Sequence, residues 1–257
     1  MQLSFYKYQG TGNDFIMVDD RQGALGNYST TLVPKLCNRR LGIGADGFMV
    51  LRNHEAYDFE MIYHNADGSQ SLCGNGSRCA VHLAQQLGII NEEAHFITTD
   101  GAHRAFIQGG LVQVQLSDVK EIQTLPEGYW LNTGSPQYVT WVTDLASLEV
   151  EQVGRQIRNS APFQKEGVNV NFVQRQENGM LAMRTYERGV EAETLSCGTG
   201  ATAVALVASL KGGTSPITIS TQGGTLQVSF TKKNEQHFQD IYLTGPTKQV
   251  FRGTIDI

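Results

Sequence analysis

Short runs in which apolar and polar residues alternate recur along this chain and predict a protein rich in β-strands. The runs HFITTDG, LVQVQLS, ITIST and TLQVSF follow a period of two, which is typical of strands with one face in a core. Two segments have another pattern: GSRCAVHLAQQLG and GATAVALVASLKGG end on glycine, as helices commonly do. The second is apolar or small almost all round, which predicts a buried central helix.

The same pattern occurs twice. Cys197 follows Cys73 by 124 residues, Phe172 follows Phe48 by 124, and Ile219 follows Ile97 by 122. Each half is predicted to hold a first strand, a helix, two strands, a Cys-Gly-x-Gly turn with its helix, and a β-meander. The first helices are predicted at Thr30–Arg39 and Ser147–Arg158, and the paired strands at Gly47–Leu51, Asp58–His64, Asn169–Gln174 and Leu181–Arg184.

The repeat predicts an α+β fold of two pseudo-symmetric lobes, each a curled, mostly antiparallel or mixed sheet around a central helix. We expect an N-terminal lobe at residues 1–117, with 248–257 returning to it, and a homologous C-terminal lobe at 118–247. Equivalent residues of two such lobes face each other across a cleft, and we expect the active site there.

Composition and charge exclude several classes of protein. The 257 residues carry a formal net charge of −5, which gives no basic footprint for nucleic acid. No apolar run approaches the ~18 residues of a membrane helix, and the N-terminus lacks a signal-peptide pattern, so we expect a cytoplasmic protein without a membrane partner. The four cysteines form no CxxC pair or zinc-like spacing, and we expect reduced thiols and no metal site.

The two Cys-Gly-x-Gly turns each place a cysteine at the start of a helix. The first N–H groups of a helix point outward and carry a partial positive charge, which favours the thiolate form of a cysteine. One such turn is explained by a buried structural thiol, but two at equivalent positions of a repeat favour function. The main chain at Gly74, Asn75, Gly198 and Thr199 is then a candidate site for a carboxylate.

Two thiols on opposite sides of such a carboxylate can invert a carbon centre. One thiolate removes the α-proton from one face while the other thiol protonates the opposite face. The carboxylate stabilises the developing carbanion, and the helix ends stabilise the carboxylate. The sequence shows no GxGxxG motif after a strand and no lysine in a recognisable pyridoxal-phosphate setting, so no cofactor is predicted.

The motifs GTGNDF, NADGS before CGNGSRC, VNVNFV and YERGVEAETLSCGTGA together resemble the diaminopimelate epimerase family over nearly the whole chain. The resemblance implies a cofactor-independent isomerase that interconverts LL- and meso-2,6-diaminopimelate for lysine and peptidoglycan synthesis. It also implies a cytoplasmic homodimer of two-lobed subunits whose partner is this small-molecule substrate.

The resemblance also assigns roles to matching residues. It makes Cys73 and Cys197 the acid–base pair, and it gives the reacting carboxylate to the main chain of the two turns. Arg188 suits the distal carboxylate and Glu187 the distal ammonium. The substrate-binding residues that it implies are Asn13, Asn65, Gly74, Asn75, Asn169, Glu187, Arg188, Gly198 and Thr199.

Some positions depart from the family pattern. Many members have Gly-Asn-Pro-His where this chain reads GSPQ, so Ser135 and Gln137 are further candidates, and Gln137 carries no titratable charge. Some members have glutamine at Gly47. His64 is a further candidate beside Asn65, although a structural role is the simpler interpretation.

The sequence leaves alternatives open. Cys37 and Cys79 are interpreted as core residues. A proline or hydroxyproline racemase has paired thiols but no use for a Glu–Arg pair that holds a distal amino-acid head. A dithiol redox protein uses two cysteines, usually closer in sequence, and a non-catalytic amino-acid binder needs the carboxylate site without the thiols. Activity on hydroxyproline, redox-dependent activity or unharmed serine variants distinguish these alternatives.

Overall fold

The computed structural model describes residues 1–26, 28, 31–177 and 179–257, which form two compact units. The first unit comprises residues 1–114 and 245–257, and the second residues 115–244. The strands and helices of the first are β1 Gln2–Gly10, β2 Asn13–Asp19, α1 Leu32–Cys37, β3 Gly47–Arg52, β4 Phe59–Asn65, α2 Gly74–Gln86, β5 Glu93–Thr98, β6 Gly101–Gln108, β7 Leu111–Leu116 and β17 Lys248–Asp256. Those of the second are β8 Ile122–Leu125, β9 Gly128–Asn132, β10 Pro136–Trp141, α3 Val150–Arg158, β11 Asn169–Arg175, β12 Leu181–Glu187, β13 Ala192–Thr194, α4 Gly198–Leu210, β14 Ile217–Thr221, β15 Gly224–Lys232 and β16 Phe238–Pro246.

The main sheets of the two units have the same strand order and the same relative directions. The first runs β17-β1-β2-β3-β4-β5-β6-β7, with parallel pairs at β2–β3 and β4–β5 and antiparallel pairs elsewhere. The second runs β8-β9-β10-β11-β12-β14-β15-β16, with parallel pairs at β10–β11 and β12–β14. The register agrees as well, because Phe15 lies opposite Gly47 and Gln137 opposite Asn169. The duplicated α+β fold is therefore confirmed.

In each unit a long helix lies on one face of the sheet and a short helix on the other. Phe15 and Met17 of β2 point into the core beside α2, whereas Ile16 and Val18 point into the core beside α1. Helix α2 contacts β1, β2, β3, β4 and β6, so the sheet curls around it. Helix α4 has the same place in the second unit, and all its residues except Leu210 are buried, as its apolar sequence predicts.

The short helices differ from the prediction in their ends. Helix α3 begins at Val150 rather than residue 147, because the Asp144 carboxylate accepts the main-chain N–H groups of Ala146 and Ser147 and holds a turn. Helix α1 covers Leu32–Cys37, while the predicted start at residue 30 lies outside the described residues. Among the described residues, no helix is long and apolar enough to cross a membrane.

Candidate active site

Cys73 and Cys197 are the N-cap residues of the two long buried helices. Both have extended main-chain conformations, and each thiol lies over the first turn of its helix. The N–H of Gly76 donates to Sγ of Cys73 at 3.4 Å, and the N–H of Gly200 donates to Sγ of Cys197 at the same distance. A sulfur in this position receives both a hydrogen bond and the positive end of the helix, and both favour its thiolate form.

The second glycine of each turn allows the helix to pack closely on its sheet. A Cβ at Gly76 would lie 2.2 Å from Cε of Met49 on β3, and one at Gly200 would lie 2.3 Å from Oδ1 of Asn171 on β11. Neither space admits an alanine unless the side chain behind it moves. The two turns therefore need glycine for the same reason, although an apolar side chain lies behind one and an amide behind the other.

In the first unit, the side chain of Asn13 lies beside the Cys73 thiol. Asn13 Oδ1 is 3.5 Å from Cys73 Sγ and also 3.5 Å from Nδ2 of Asn75. The Asn13 amide is oriented by Asp46, whose carboxylate accepts its Nδ2 at 2.7 Å. Cys73, Asn13 and Asn75 thus form one group of contacts, and Asp46 is a supporting residue that the sequence did not indicate.

Asn65 and His64 are neighbours in β4 but lie on opposite faces of the sheet. Asn65 shares the α2 side, where it contacts Ser69 and Ser71 through its side chain. His64 is buried on the α1 side, where its Nε2 lies 2.7 Å from the Tyr28 hydroxyl and its Nδ1 lies 3.1 Å from the carbonyl of Gly68. His64 is therefore not brought to the Cys73 group.

In the second unit, the hydroxyl of Thr199 links the Cys197 thiol to a buried polar chain. Thr199 Oγ1 is 3.5 Å from Cys197 Sγ, 3.1 Å from the Ser135 hydroxyl and 3.0 Å from Gln137 Nε2, which donates to it. Gln137 also donates to the Ser135 hydroxyl at 2.7 Å. Ser135 and Gln137 are thus in direct contact with the second cysteine turn.

The chain continues through two residues that sequence reasoning missed. Asn171 donates to Gln137 Oε1 at 2.9 Å, and the hydroxyl of Thr185 donates to Asn171 Oδ1 at 2.9 Å. All three side chains are buried. The available signal was Asn171 in VNVNFV, on the same strand face as Asn169, since residues two apart in a strand share a face.

Asn169, Glu187 and Arg188 lie at adjoining ends of β11 and β12. The Asn169 side chain donates to the Ser135 hydroxyl at 3.2 Å and accepts the main-chain N–H of Arg188 at 2.8 Å. Glu187 accepts the hydroxyl of Thr194 at 2.8 Å. The Arg188 guanidinium is exposed and donates to the carbonyl of Glu166 at 3.0 Å. Asn169 therefore links the main chain of Arg188 to Ser135, which contacts the second cysteine turn.

The two remaining cysteines are buried. Burial raises the pKa of Cys37 to about 11, and it raises the pKa of the fully buried Cys79 far above the ordinary range. Both thiols therefore stay protonated near neutral pH. Within the described ranges, no cluster of three or more His, Cys, Asp or Glu side chains has the arrangement of a metal site.

The comparisons with known proteins show the family of this chain. The family model described as Diaminopimelate epimerase matches residues 5–124 and 129–250. The chain belongs to the diaminopimelate epimerase family. A diaminopimelate epimerase from Flavobacterium psychrophilum is 46% identical over 98% of this chain and 100% of its own length. One from Aquifex aeolicus is 39% identical over 98% of both chains.

Solved structures with little sequence similarity share the fold. A phenazine biosynthesis protein of the PhzF family from Bacillus anthracis superimposes with a TM-score of 0.80 at 13% identity, over the full length of both chains. A hydroxyproline epimerase from Agrobacterium vitis gives a TM-score of 0.73 at 12% identity and covers 99% of this chain and 92% of its own. At such identities the likeness shows the fold alone.

Within the diaminopimelate epimerase family, the glycine at position 47 has a physical cause in this chain. A Cβ at Gly47 would lie 2.4 Å from Cε2 and 2.7 Å from the hydroxyl of Tyr63, which fills that space from β4. Tyr63 is buried in the α2-side core and meets Phe15 edge to face. The Tyr63 ring and the carbonyl of His64, 2.9 Å from the same point, therefore leave no room for a side chain at position 47.

Proposed function

We propose that this protein interconverts LL- and meso-2,6-diaminopimelate without a cofactor, by proton transfer between the α-carbon and two thiols. The observation that supports the proposal best is the repeated placement of a cysteine at the N-terminus of a long buried helix, at Cys73 and Cys197. The substrate is inferred from membership of the family, and the proton-transfer mechanism is inferred from the placement of the two cysteines. An isomerase of this kind needs one base and one acid of the same chemical type.

The reaction needs a thiolate on one side of the substrate and a thiol on the other. The thiolate takes the α-proton and becomes a thiol, and the electron pair of the broken C–H bond is left on the α-carbon and its carboxylate. The second thiol gives its proton to the opposite face and becomes a thiolate. Charges and protons balance, and the reverse reaction exchanges the two roles.

We propose that the two helix ends together hold the reacting carboxylate. The first N–H groups of a helix have no partner within it, and those of Gly74 and Gly198 are the first in α2 and α4. Their dipoles are oriented before the charge develops, which makes their stabilisation of the carbanion effective. Asn75 and Thr199 adjoin the same helix ends, beside Cys73 and Cys197 respectively.

The distal end of the substrate is assigned to residues near the strand ends. Diaminopimelate carries an ammonium and a carboxylate at its far end, so it needs an anion and a cation from the protein. Glu187 and Arg188 supply them, and Asn169 holds the main chain of Arg188 in place. Asn65 and Asn13 complete the proposed substrate contacts in the first unit.

The location of the protein and its number of subunits are also part of the proposal. We propose a cytoplasmic homodimer in which each subunit carries its own pair of thiols. Light scattering on the purified protein gives the subunit number directly. A monomer that remains fully active contradicts the dimer and leaves the chemistry unaffected.

The decisive test is exchange of the substrate α-proton in deuterated water. Reduced protein is incubated with LL-diaminopimelate, with trans-4-hydroxy-L-proline present as a competitor, and both are followed by proton NMR. We expect the diaminopimelate α-signal to disappear while the meso isomer forms, with no change in hydroxyproline. Exchange in hydroxyproline alone contradicts the assigned substrate, and exchange in neither contradicts the proposed reaction.

Cysteine variants test the mechanism. Cys73→Ser and Cys197→Ser should each lower epimerisation by at least about a hundredfold, the smaller end of the usual contribution of acid–base catalysis. Cys37→Ala is the matched control, because Cys37 is a buried thiol at the end of α1, on the other side of the sheet from Cys73. Equal activity in all three variants contradicts the roles given to the two thiols.

A further inference from the structure

The side chain of Arg78 lies fully buried in the second turn of α2, five residues after Cys73. Its Nη1 lies 3.5 Å from the carbonyl of Gly74 and its Nη2 lies 3.3 Å from the hydroxyl of Thr11, while its Nε has no hydrogen-bond partner. Among the described residues, no carboxylate forms an ion pair with it. A buried cation with two long contacts to neutral atoms is costly unless an anion lies near.

The helix end makes this cost larger. The N-terminus of a helix carries a partial positive charge, and the Arg78 guanidinium lies against its first carbonyl. Burial lowers the pKa of Arg78 to about 10, so the group still carries its full charge at neutral pH. The first turn of α2 is thus a site with two positive contributions, and negative charge on the thiol of Cys79 or of Cys73 would raise the pKa of Arg78 again.

Other titratable groups around α2 do not supply that anion. Burial raises the pKa of Tyr8 on β1 and of Cys79 on α2 well above the ordinary range, and the Tyr8 hydroxyl donates to Gln86. Burial lowers the pKa of His82 on α2, so this ring is neutral. A further titratable side chain in the core around α2 is the buried phenol of Tyr63, on β4.

The carboxylates near this helix are already paired. Asp14 of β2 is bound by Lys7 at 2.7 Å and by Arg39 at 2.6 Å, and Asp46 is bound by Arg39 at 2.8 Å. On β6, His103 lies 3.0 Å from Asp100. Each of these negative charges has its own partner, so none remains for Arg78.

The second repeat has a neutral residue at the equivalent position. Thr202 follows Cys197 by five residues, is fully buried, and donates its hydroxyl to the carbonyl of Gly198 at 3.0 Å. Arg78 makes the same contact with the equivalent carbonyl of Gly74. The two repeats therefore place a cation and a neutral hydroxyl at corresponding points beneath the two thiols.

We propose that the Arg78 guanidinium is the built-in counter-charge of the Cys73 thiolate, so that Cys73 is the ionised thiol and Cys197 the protonated thiol in the substrate-free protein. Two contacts act the other way: Asn13 Oδ1, 3.5 Å from Cys73, accepts a hydrogen bond only from the protonated thiol, and the Thr199 hydroxyl lies 3.5 Å from Cys197. The full charge prevails because its field falls off more slowly than that of a single polar group and is little screened when buried. Assigning Cys73 as the resting base rests on the proposed function, whereas its ionisation does not.

The experiment measures thiol ionisation without substrate. Wild-type protein is alkylated with iodoacetamide across a pH series, and mass spectrometry gives the modification rate of each cysteine. We expect the pH midpoint of Cys73 to lie at least about one unit below that of Cys197. Comparing midpoints rather than rates removes the effect of the lower exposure of Cys197. A Cys197 midpoint equal to or below that of Cys73 overturns the proposal.

Variants at the two equivalent positions assign the cause. Arg78→Met should raise the Cys73 midpoint by about one unit, which slows its alkylation about tenfold at pH values well below both midpoints, whereas Arg78→Lys should keep it low. Thr202→Val is the matched control and should leave the Cys73 midpoint unchanged. A folded Arg78→Met protein with the wild-type midpoint overturns the proposal, and if this variant does not fold, the wild-type comparison decides. Absence of α-proton exchange overturns the proposed function without affecting these midpoints.

Discussion

Replacement of Asn171 by leucine removes the central link of the buried polar chain in the second unit. Asn171 is fully buried and donates to Gln137 Oε1 at 2.9 Å and to the carbonyl of Tyr138 at 3.1 Å. It also accepts the hydroxyl of Thr185 at 2.9 Å. Leucine keeps the branched shape of the side chain but satisfies none of these groups, so the Gln137 oxygen and the Thr185 hydroxyl lose the partner that each has.

The expected size follows from those two groups. A buried polar group left without its partner costs about 1–3 kcal/mol, so we expect Asn171→Leu to lower the free energy of unfolding by about 4 kcal/mol. Gln137→Met should cost less, about 1–2 kcal/mol, because Ser135 and Thr199 remain 3.1 Å apart and satisfy each other. In the double variant the Gln137 oxygen is absent, so its cost should be smaller than the sum of the two single costs by about 1–3 kcal/mol.

Tryptophan fluorescence during urea unfolding measures these costs in the right part of the molecule. The chain has 2 tryptophans, Trp130 and Trp141, and both lie in the second unit. Thr140→Val is the matched control, since this hydroxyl of β10 donates to the carbonyl of Glu127 at the protein surface and its loss should cost no more than about 0.5 kcal/mol. If the Asn171 and Gln137 costs add to within about 0.5 kcal/mol, the two side chains are not coupled and the reasoning fails.

Three further predictions concern the Lys7–Asp14 ion pair of the first unit and the packing of α4 in the second unit. Asp14→Asn should destabilise the first unit by about 3 kcal/mol, because it leaves the buried Lys7 ammonium without its carboxylate; unchanged hydrogen exchange of β1 and β2 contradicts this. Burial opposes ionisation of Asp14, but hydrogen bonds from Arg39 and Lys7 lower its pKa overall. Ionised Asp14 therefore gives its full stabilisation above about pH 4, and this is lost as the pH falls through the lowered pKa of Asp14 in the folded protein. Asp14→Asn removes this pH dependence and should flatten the acid-unfolding curve below pH ~4. An acid transition identical to that of the wild type refutes the prediction. Gly200→Ala should weaken α4 packing, because its Cβ would lie 2.3 Å from the Asn171 side chain; a melting temperature at the wild-type value contradicts that contact.

The predictable part of the fold is the part that local patterns determine. Alternating runs predicted the strands, and the small or apolar segments after the cysteines predicted both long helices, because burial on one face or all round leaves a clear period. The near-constant offset predicted the duplication, which the matching strand order and directions confirm. The start of α3 was missed because the Asp144 turn competes with helix formation through side-chain bonds, which periodicity does not register.

The candidate site was predictable at its cysteines and less so around them. The rare Cys-Gly-x-Gly turn predicted a thiol at each helix start, which the N-cap contacts of Gly76 and Gly200 bear out. Asn171 and Thr185 were missed because a polar residue within a strand has no local signal of its own, and its partners come from other strands. Arg78 was missed for a similar reason, since charged residues on helices are mostly solvated, and only the packed structure shows this one buried.

The two repeats have glycine at the same position of the cysteine turn but differ in the side chains around it. A Cβ at Gly76 or at Gly200 would collide with a side chain of the neighbouring strand, which is Met49 in one unit and Asn171 in the other. The same divergence places Arg78 beneath one cysteine and a neutral threonine beneath the other. An epimerase with two identical thiols in identical surroundings would have no preference for which thiol is ionised, and both would be protonated or ionised together in a large share of molecules. On the proposed assignment, these unequal surroundings leave Cys73 ionised and Cys197 protonated in the substrate-free protein.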